Sequence, residues 1–251
     1  VAFLALDAGN STVKAAVWDG RRWGEVTRWP SASAPVDVWT GRLAAVAGGV
    51  DAAGIASVVP ALTPVLAGAA RSAFGVEATA VSAALPLPFR LAYATPHTLG
   101  ADRLAAAVAA HALADGRPAV ALDVGTAVTT EAVSAEPAYL GGAILPGPDL
   151  LRRGLAAGTR QLPEVEWPDT LAPIGDSTAG AIAAGLAVLV ADGVAGLVRR
   201  TVGALGGDAL VVATGGGAGW LAAHVGGVDR VEPHLVLDGV RLLTERAASR
   251  G

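Results

Sequence analysis

Residues 4–18 read LALDAGNSTVKAAVW and residues 120–134 read VALDVGTAVTTEAVS. In the first, a short apolar strand ends in Asp7, a turn forms on Gly9 with Asn10, Ser11 and Thr12, and a return strand starts near Val13. Small hydrogen-bond donors therefore crowd one tight turn. In the second, without a gap, Asp123 answers Asp7, Gly125 answers Gly9, and Ala132-Val133 answers Ala16-Val17. Two copies of one design predict a duplicated fold with a cleft between its halves.

Composition bounds what those halves can do. The 251 residues are 53% apolar, enough for one large or two modest cores. With 18 Lys and Arg against 22 Asp and Glu the formal charge is -4, and no basic run offers nucleic acid a surface. A small anion needs only one basic residue or a nest of backbone amides, so it remains a candidate ligand. Cysteine is absent, which excludes thiolate catalysis, disulfides and thiolate-held metals and fits a reducing, cytoplasmic setting. The first residues enter a strand pattern without a basic segment, so no signal peptide is expected. The Ala-rich run Ala179 to Ala191 is expected to be a packed helix rather than a membrane span, because Asp192 and many small residues accompany it.

Along the chain, apolar runs alternate with helical patterns, which predicts α/β architecture. After Asp19-Gly20 an antiparallel strand is expected over Arg22 to Trp29, then helices at Val38 to Val46 and Pro64 to Phe74, with buried strands at Ile55 to Val59 and Glu77 to Val81. Asp102 stands where a long Ala-rich helix opens, either as a plain N-cap or as a functional carboxylate, with Tyr93, His97 and Arg103 as polar neighbours. Later, Gly175 to Thr178 caps a second Ala-rich helix, and the strand Leu210 to Ala213 runs into Thr214 and three glycines. Glycines there admit another chain segment, a planar ligand or a simple turn. A last helix is expected over Val236 to Ala247, and the halves divide as 1–115 and 116–251.

The chain has neither a GxxxxGK[ST] loop nor a GxGxxG fingerprint. An Asp before a hydroxyl-rich glycine turn, present twice, suits phosphoryl transfer, where positioning and charge neutralisation supply most of the catalysis. Asp7 and Asp123 are metal-ligand candidates, and Asn10, Ser11, Thr12, Thr126 and Thr129 are phosphate-oxygen candidates. Lys14 faces either phosphate or solvent. Asp102 could take a hydroxyl proton, and Arg103 could pair with a substrate carboxylate.

The stretches DAGNSTVK, SVVP (57–60), LGADR (99–103), DVGTAVT (123–129), GGAILPG (141–147), GDST (175–178) and ATGGG (213–217) together resemble type III pantothenate kinases. The resemblance spans the chain in order. It implies duplicated ribonuclease-H-like domains of the sugar kinase, Hsp70 and actin superfamily, with mixed central sheets flanked by helices. It also implies ATP-dependent phosphorylation of pantothenate toward coenzyme A by a homodimer needing Mg2+ and a monovalent cation, K+ or NH4+. Carried over by position, Asp102 is the general base, and Tyr93, Gly100, Arg103 and Thr178 bind the acceptor. Asp7 holds magnesium, and Gly9, Asn10, Ser11, Thr12 and Lys14 approach the phosphates. Asp123 joins the monovalent-cation site, Gly125, Thr126 and Thr129 meet phosphate, and Gly215 and Gly216 meet the adenosine. Ser11, Ala106 and Glu131 depart from the family's usual Thr, Asn and Asp, and none removes a catalytic group. Two rivals stay open: a non-catalytic accessory or regulatory protein on the same scaffold, and a kinase for another small hydroxylated acceptor.

Overall fold

The computed structural model describes residues 1–250. Its chain divides into two compact units, Val1–Ala112 with His234–Gly251, and Leu113–Pro233.

In the first unit, β1 (Phe3–Ala8) and β2 (Thr12–Trp18) form a hairpin that β3 (Thr27–Pro30) extends. On the other side of β1 lie β4 (Ala52–Ser57) and β5 (Ala78–Ala80), both parallel, so the sheet order is β3-β2-β1-β4-β5. All of β1 is buried, as expected of a strand covered on both faces. Leu4, Leu6 and Ala8 share one core with Trp39 and Leu43 of α1 (Val36–Ala44) and Leu66, Ala69 and Ala70 of α2 (Thr63–Phe74). Gly75, at φ 72, ends α2 in the left-handed conformation that glycine adopts without a Cβ clash. A short strand β6 (Arg90–Leu91) and a 3-10 turn (Pro96–Thr98) lead into α3 (Ala101–Leu113).

The second unit repeats the plan. β7 (Ala119–Val124), β8 (Ala127–Val133) and β9 (Ala138–Pro146) form an antiparallel meander. After α4 (Pro148–Ala157) and α5 (Thr178–Ala204), β10 (Leu210–Thr214) returns parallel to β7. β11 (Arg230–Val231) follows α6 (Ala218–His224) and pairs parallel with β10. Val120, Leu122 and Val124 pack on Val190, Val194 and Val198 of α5. α5 is long and apolar enough to cross a membrane, yet these valines belong to the unit's core. Its N-cap is Ser177, whose hydroxyl accepts from Gly180 N at 3.1 Å.

Three expectations change. The ungapped match of the two hairpins fails inside the turn: Asp7 lies opposite Lys14, but Asp123 lies opposite Thr129, so the second turn is one residue shorter. Thr129, not Thr130, is therefore the counterpart of Lys14. Of Arg22 to Trp29, only Thr27 onward forms a continuous strand; after the turn in which the Asp19 carboxylate accepts from the amides of Arg21 and Arg22 at 2.8 Å, Trp23 makes a single antiparallel bridge to Trp18 and the chain then leaves the ladder until Thr27. Finally, α7 (Leu235–Ala248) does not stay with the second half; it packs on β1 and β4 of the first unit. Gly54 makes room for it: a Cβ there would meet Val240 and Thr244.

Candidate active site

Two groups of predicted residues gather, one at the strand ends of each unit. In the first, the antiparallel register puts Asp7 and Lys14 on one face, and Lys14 Nζ lies 3.1 Å from Asp7 Oδ2. Asp7 is only 6% exposed. The turn after it closes with Gly9 N donating to Thr12 O at 3.0 Å, leaving Asn10 and Ser11 exposed and Thr12 half-buried. A residue that sequence reasoning missed braces this turn: Ser31 Oγ donates to Gly9 O at 2.5 Å, and Ser31 N donates to Ser11 O at 3.1 Å. No local pattern marks Ser31, because its partners lie across β2.

Asp102 is the second residue of α3, so it is not the N-cap; its Oδ1 accepts from Arg103 N at 2.7 Å. Burial pushes its carboxyl above the ordinary carboxylate range, and the Asp7 charge adds to that. Gly100 matters here, since a Cβ would stand 2.6 Å from Asp102 Oδ1. Arg103 follows on the same helix, and Tyr93 is half-buried in the segment before the 3-10 turn. Beside them opens a cleft of about 650 Å³, lined by Ser57, Val58 and Pro60, by residues 81–84, and by Pro96 to Ala101. It lies beyond the carboxyl ends of β4 and β5, where open α/β sheets hold ligands. Sequence reading did not find its Ser82 lining.

In the second unit, Asp123 is the next-to-last residue of β7, with Thr129 opposite on β8 and Thr214 opposite on β10. Thr214, 2% exposed, was also missed as a site neighbour. Gly147 N donates to Thr126 O and Gly217 N to Val124 O, each at 3.0 Å, so three segments meet where β7 ends. Thr126 and Gly216 are exposed, as is Thr178, the first residue of α5. Gly215, at φ +92, has no space for a Cβ, which would strike the Asp123 carboxylate and the Val124 carbonyl. Gly216→Ala would meet nothing within 4 Å. Gly215→Ala is accordingly expected to cost about 1–3 kcal/mol in urea unfolding, and Gly216→Ala less than about 0.5 kcal/mol. Equal losses would contradict this packing.

Among the described residues no three His, Cys, Asp or Glu side chains form a metal cluster. Magnesium in phosphoryl-transfer sites takes one or two carboxylates and completes its shell with water and substrate phosphate, and the buried Asp7 carboxylate at the end of β1 is of the chemical type that could fill such a place.

The arrangement of one mixed sheet given twice has counterparts among solved structures. A Campylobacter jejuni protein assigned to a conserved Baf family of transcriptional activators superposes with TM-score 0.64 at 18% identity, covering 98% of this chain and 99% of that one. A ROK family glucokinase from Streptomyces griseus superposes with TM-score 0.53 at 13% identity, covering 98% and 100%. These likenesses show the fold alone: a mixed sheet flanked by helices, present twice, as in the ROK family glucokinase. Residues 3–200 match the family described as Type III pantothenate kinase. The Type III pantothenate kinase of Moorella thermoacetica is 38% identical over 192 residues, 76% of this chain and 75% of that protein. That of Chlorobaculum tepidum is 35% identical over 251 aligned positions, 96% and 92%. This chain belongs to the type III pantothenate kinase family.

Proposed function

We propose that the protein transfers the γ-phosphoryl group of ATP to the hydroxyl of pantothenate, yielding 4′-phosphopantothenate for coenzyme A synthesis. The observation that carries this reading is the half-buried Asp102, beside Arg103 at the opening of α3 and within electrostatic reach of Asp7. A carboxylate whose affinity for a proton has been raised is a better base near neutral pH. Asp102 takes the hydroxyl proton, the hydroxyl oxygen bonds to phosphorus, and the bond from phosphorus to the bridging oxygen of ADP breaks. Arg103 holds the acceptor carboxylate, with Tyr93, Gly100 and Thr178 shaping its surroundings.

The turn Gly9 to Thr12 and Lys14 take ATP phosphates, as do Gly125, Thr126 and Thr129. Asp7 would hold magnesium, which when bound would supply neutralisation of the charge developing on the phosphates. Asp123 holds the monovalent cation, K+ or NH4+; Gly215, by lacking a Cβ, leaves space at this carboxylate, and with Gly216 borders the adenosine. Residues 1–115 supply the first phosphate turn and the acceptor residues, and residues 116–251 the second phosphate turn and the adenosine loop, with α7 packed back on the first unit. The protein works as a cytoplasmic homodimer. The exposed Leu140, Ile144, Leu150, Ile174 and Leu189 favour such self-association, and the absence of cysteine fits the compartment.

ADP release from Mg·ATP tests the reading directly. It should require pantothenate and should be faster in potassium than in sodium. Release with other hydroxy acids but not pantothenate would change the acceptor, and no release from folded, ATP-binding protein would favour the accessory-protein reading.

A further inference from the structure

The strand register extends the charged row of the first turn by one residue. Asp7 on β1 lies opposite Lys14 on β2, and Lys14 lies opposite Arg28 on β3. Directly opposed residues of antiparallel strands share a face, so one carboxylate and two cations stand side by side. Neighbouring strands are about 4.8 Å apart, which puts the Arg28 backbone roughly 10 Å from that of Asp7, within reach of an extended arginine side chain working beside Lys14.

Arg28 is exposed, and its guanidinium donates to Val26 O at 3.2 Å. Among the described residues no carboxylate lies within ion-pair distance of it. Two like charges opposite each other repel, and the single carboxylate of Asp7 leaves the row with surplus positive charge. The chain just after Arg28 is fastened to the phosphate turn itself, through both Ser31 bonds to the carbonyls of Gly9 and Ser11. The end of β3 is therefore a third wall of the turn.

We infer that Arg28 is a further nucleotide-binding residue, closing on the polyphosphate of ATP from the β3 side, opposite the amides of the turn. This rests on the nucleotide reading of the first turn. Its guanidinium can grip two oxygens at once, where Lys14 acts as a point charge.

The test is Arg28→Gln and Arg28→Lys in the full chain, read by calorimetric binding of Mg·AMP-PNP and by steady-state kinetics. Arg28→Gln should weaken Mg·AMP-PNP binding and raise the ATP KM about ten-fold, the loss of one charge-assisted contact. The pantothenate KM and the melting temperature should hold, and Arg28→Lys should recover part of the affinity. Unchanged affinity in Arg28→Gln overturns the inference. So does a loss of affinity accompanied by a lower melting temperature in both variants, which would make Arg28 a structural residue of β3. The binding arm needs no acceptor, so it judges Arg28 even if pantothenate proves to be the wrong substrate. Failure of the wild-type chain to bind Mg·AMP-PNP overturns both the nucleotide reading and this inference.

Discussion

Asp102→Asn should abolish turnover and, at neutral pH, raise the melting temperature. Asparagine keeps the shape of the side chain and an oxygen for the Arg103 amide, so α3 should open unchanged. It cannot accept the hydroxyl proton, and loss of general-base catalysis lowers kcat by roughly 10²–10⁴-fold. The stability effect follows from the direction of the carboxyl's shift. Burial first, and then the Asp7 charge, raise its affinity for a proton in the folded state. A raised carboxyl contributes stability that is fully present below the ordinary carboxylate range and is lost as pH rises through the folded-state value. At neutral pH the wild type therefore carries a partly desolvated charge that the variant lacks. Melting curves should diverge upward for the variant as pH increases from the carboxylate range, while nucleotide binding persists. The wild-type rate should fall, on acidification, at a pH above that of an ordinary aspartate. Normal turnover by the variant would remove Asp102 as the base. Identical melting curves across this pH range would show that the carboxylate is not held against burial.

The second large effect is expected far from any proposed ligand, at Gly239→Ala. Gly239 of α7 lies against the backbone of α3 at Ala105, so close that a Cβ would occupy the space of the Ala105 carbonyl. Backbone cannot swing aside as a side-chain tip can, and a close-packed interior offers no void to absorb a methyl. Overpacking of this kind costs about 1–3 kcal/mol, occasionally more. The functional consequence comes from position: Asp102 and Arg103 precede Ala105 on the same helix. A displacement of about 1 Å at a reacting group can cost on the order of 10²-fold in rate, so kcat should fall with stability. Gly41→Ala on α1 is the comparison, because its Cβ would meet nothing within 4 Å. It should stabilise by about 0.4–1 kcal/mol through the unfolded state. Urea unfolding and kcat for both variants check the pair, and matching behaviour would mean that α7 does not dock there.

Much of this was legible along the chain. Apolar runs punctuated by Gly9 and Gly125 marked both hairpins, Ser177 marked the start of α5, and paired aspartates pointed to phosphate chemistry. The misreadings have one kind of cause. Trp23 lies in what reads as a continuous strand, but it keeps only a single bridge to Trp18, while its indole N–H donates to Asp238 Oδ1 at 3.0 Å and its ring stacks on His234. Those partners come from α7 and the residue that caps it, at the other end of the chain. Ser31 and Thr214 matter because of strands beside them, and a single serine or threonine carries no such mark in its own neighbourhood.

Sequence by itself determined the alternation of strands and helices and the duplicated turn, and singled out Asp102 and Arg103 as the pair proposed for the chemistry, because periodicity, turn chemistry and functional groups are local properties. Tertiary structure decided the one-residue shortening of the second turn, the row Asp7, Lys14 and Arg28, the return of α7 and the burial that raises the Asp102 carboxyl. Register, docking and desolvation are summed over residues distant in the chain. No local stretch of sequence contains that sum.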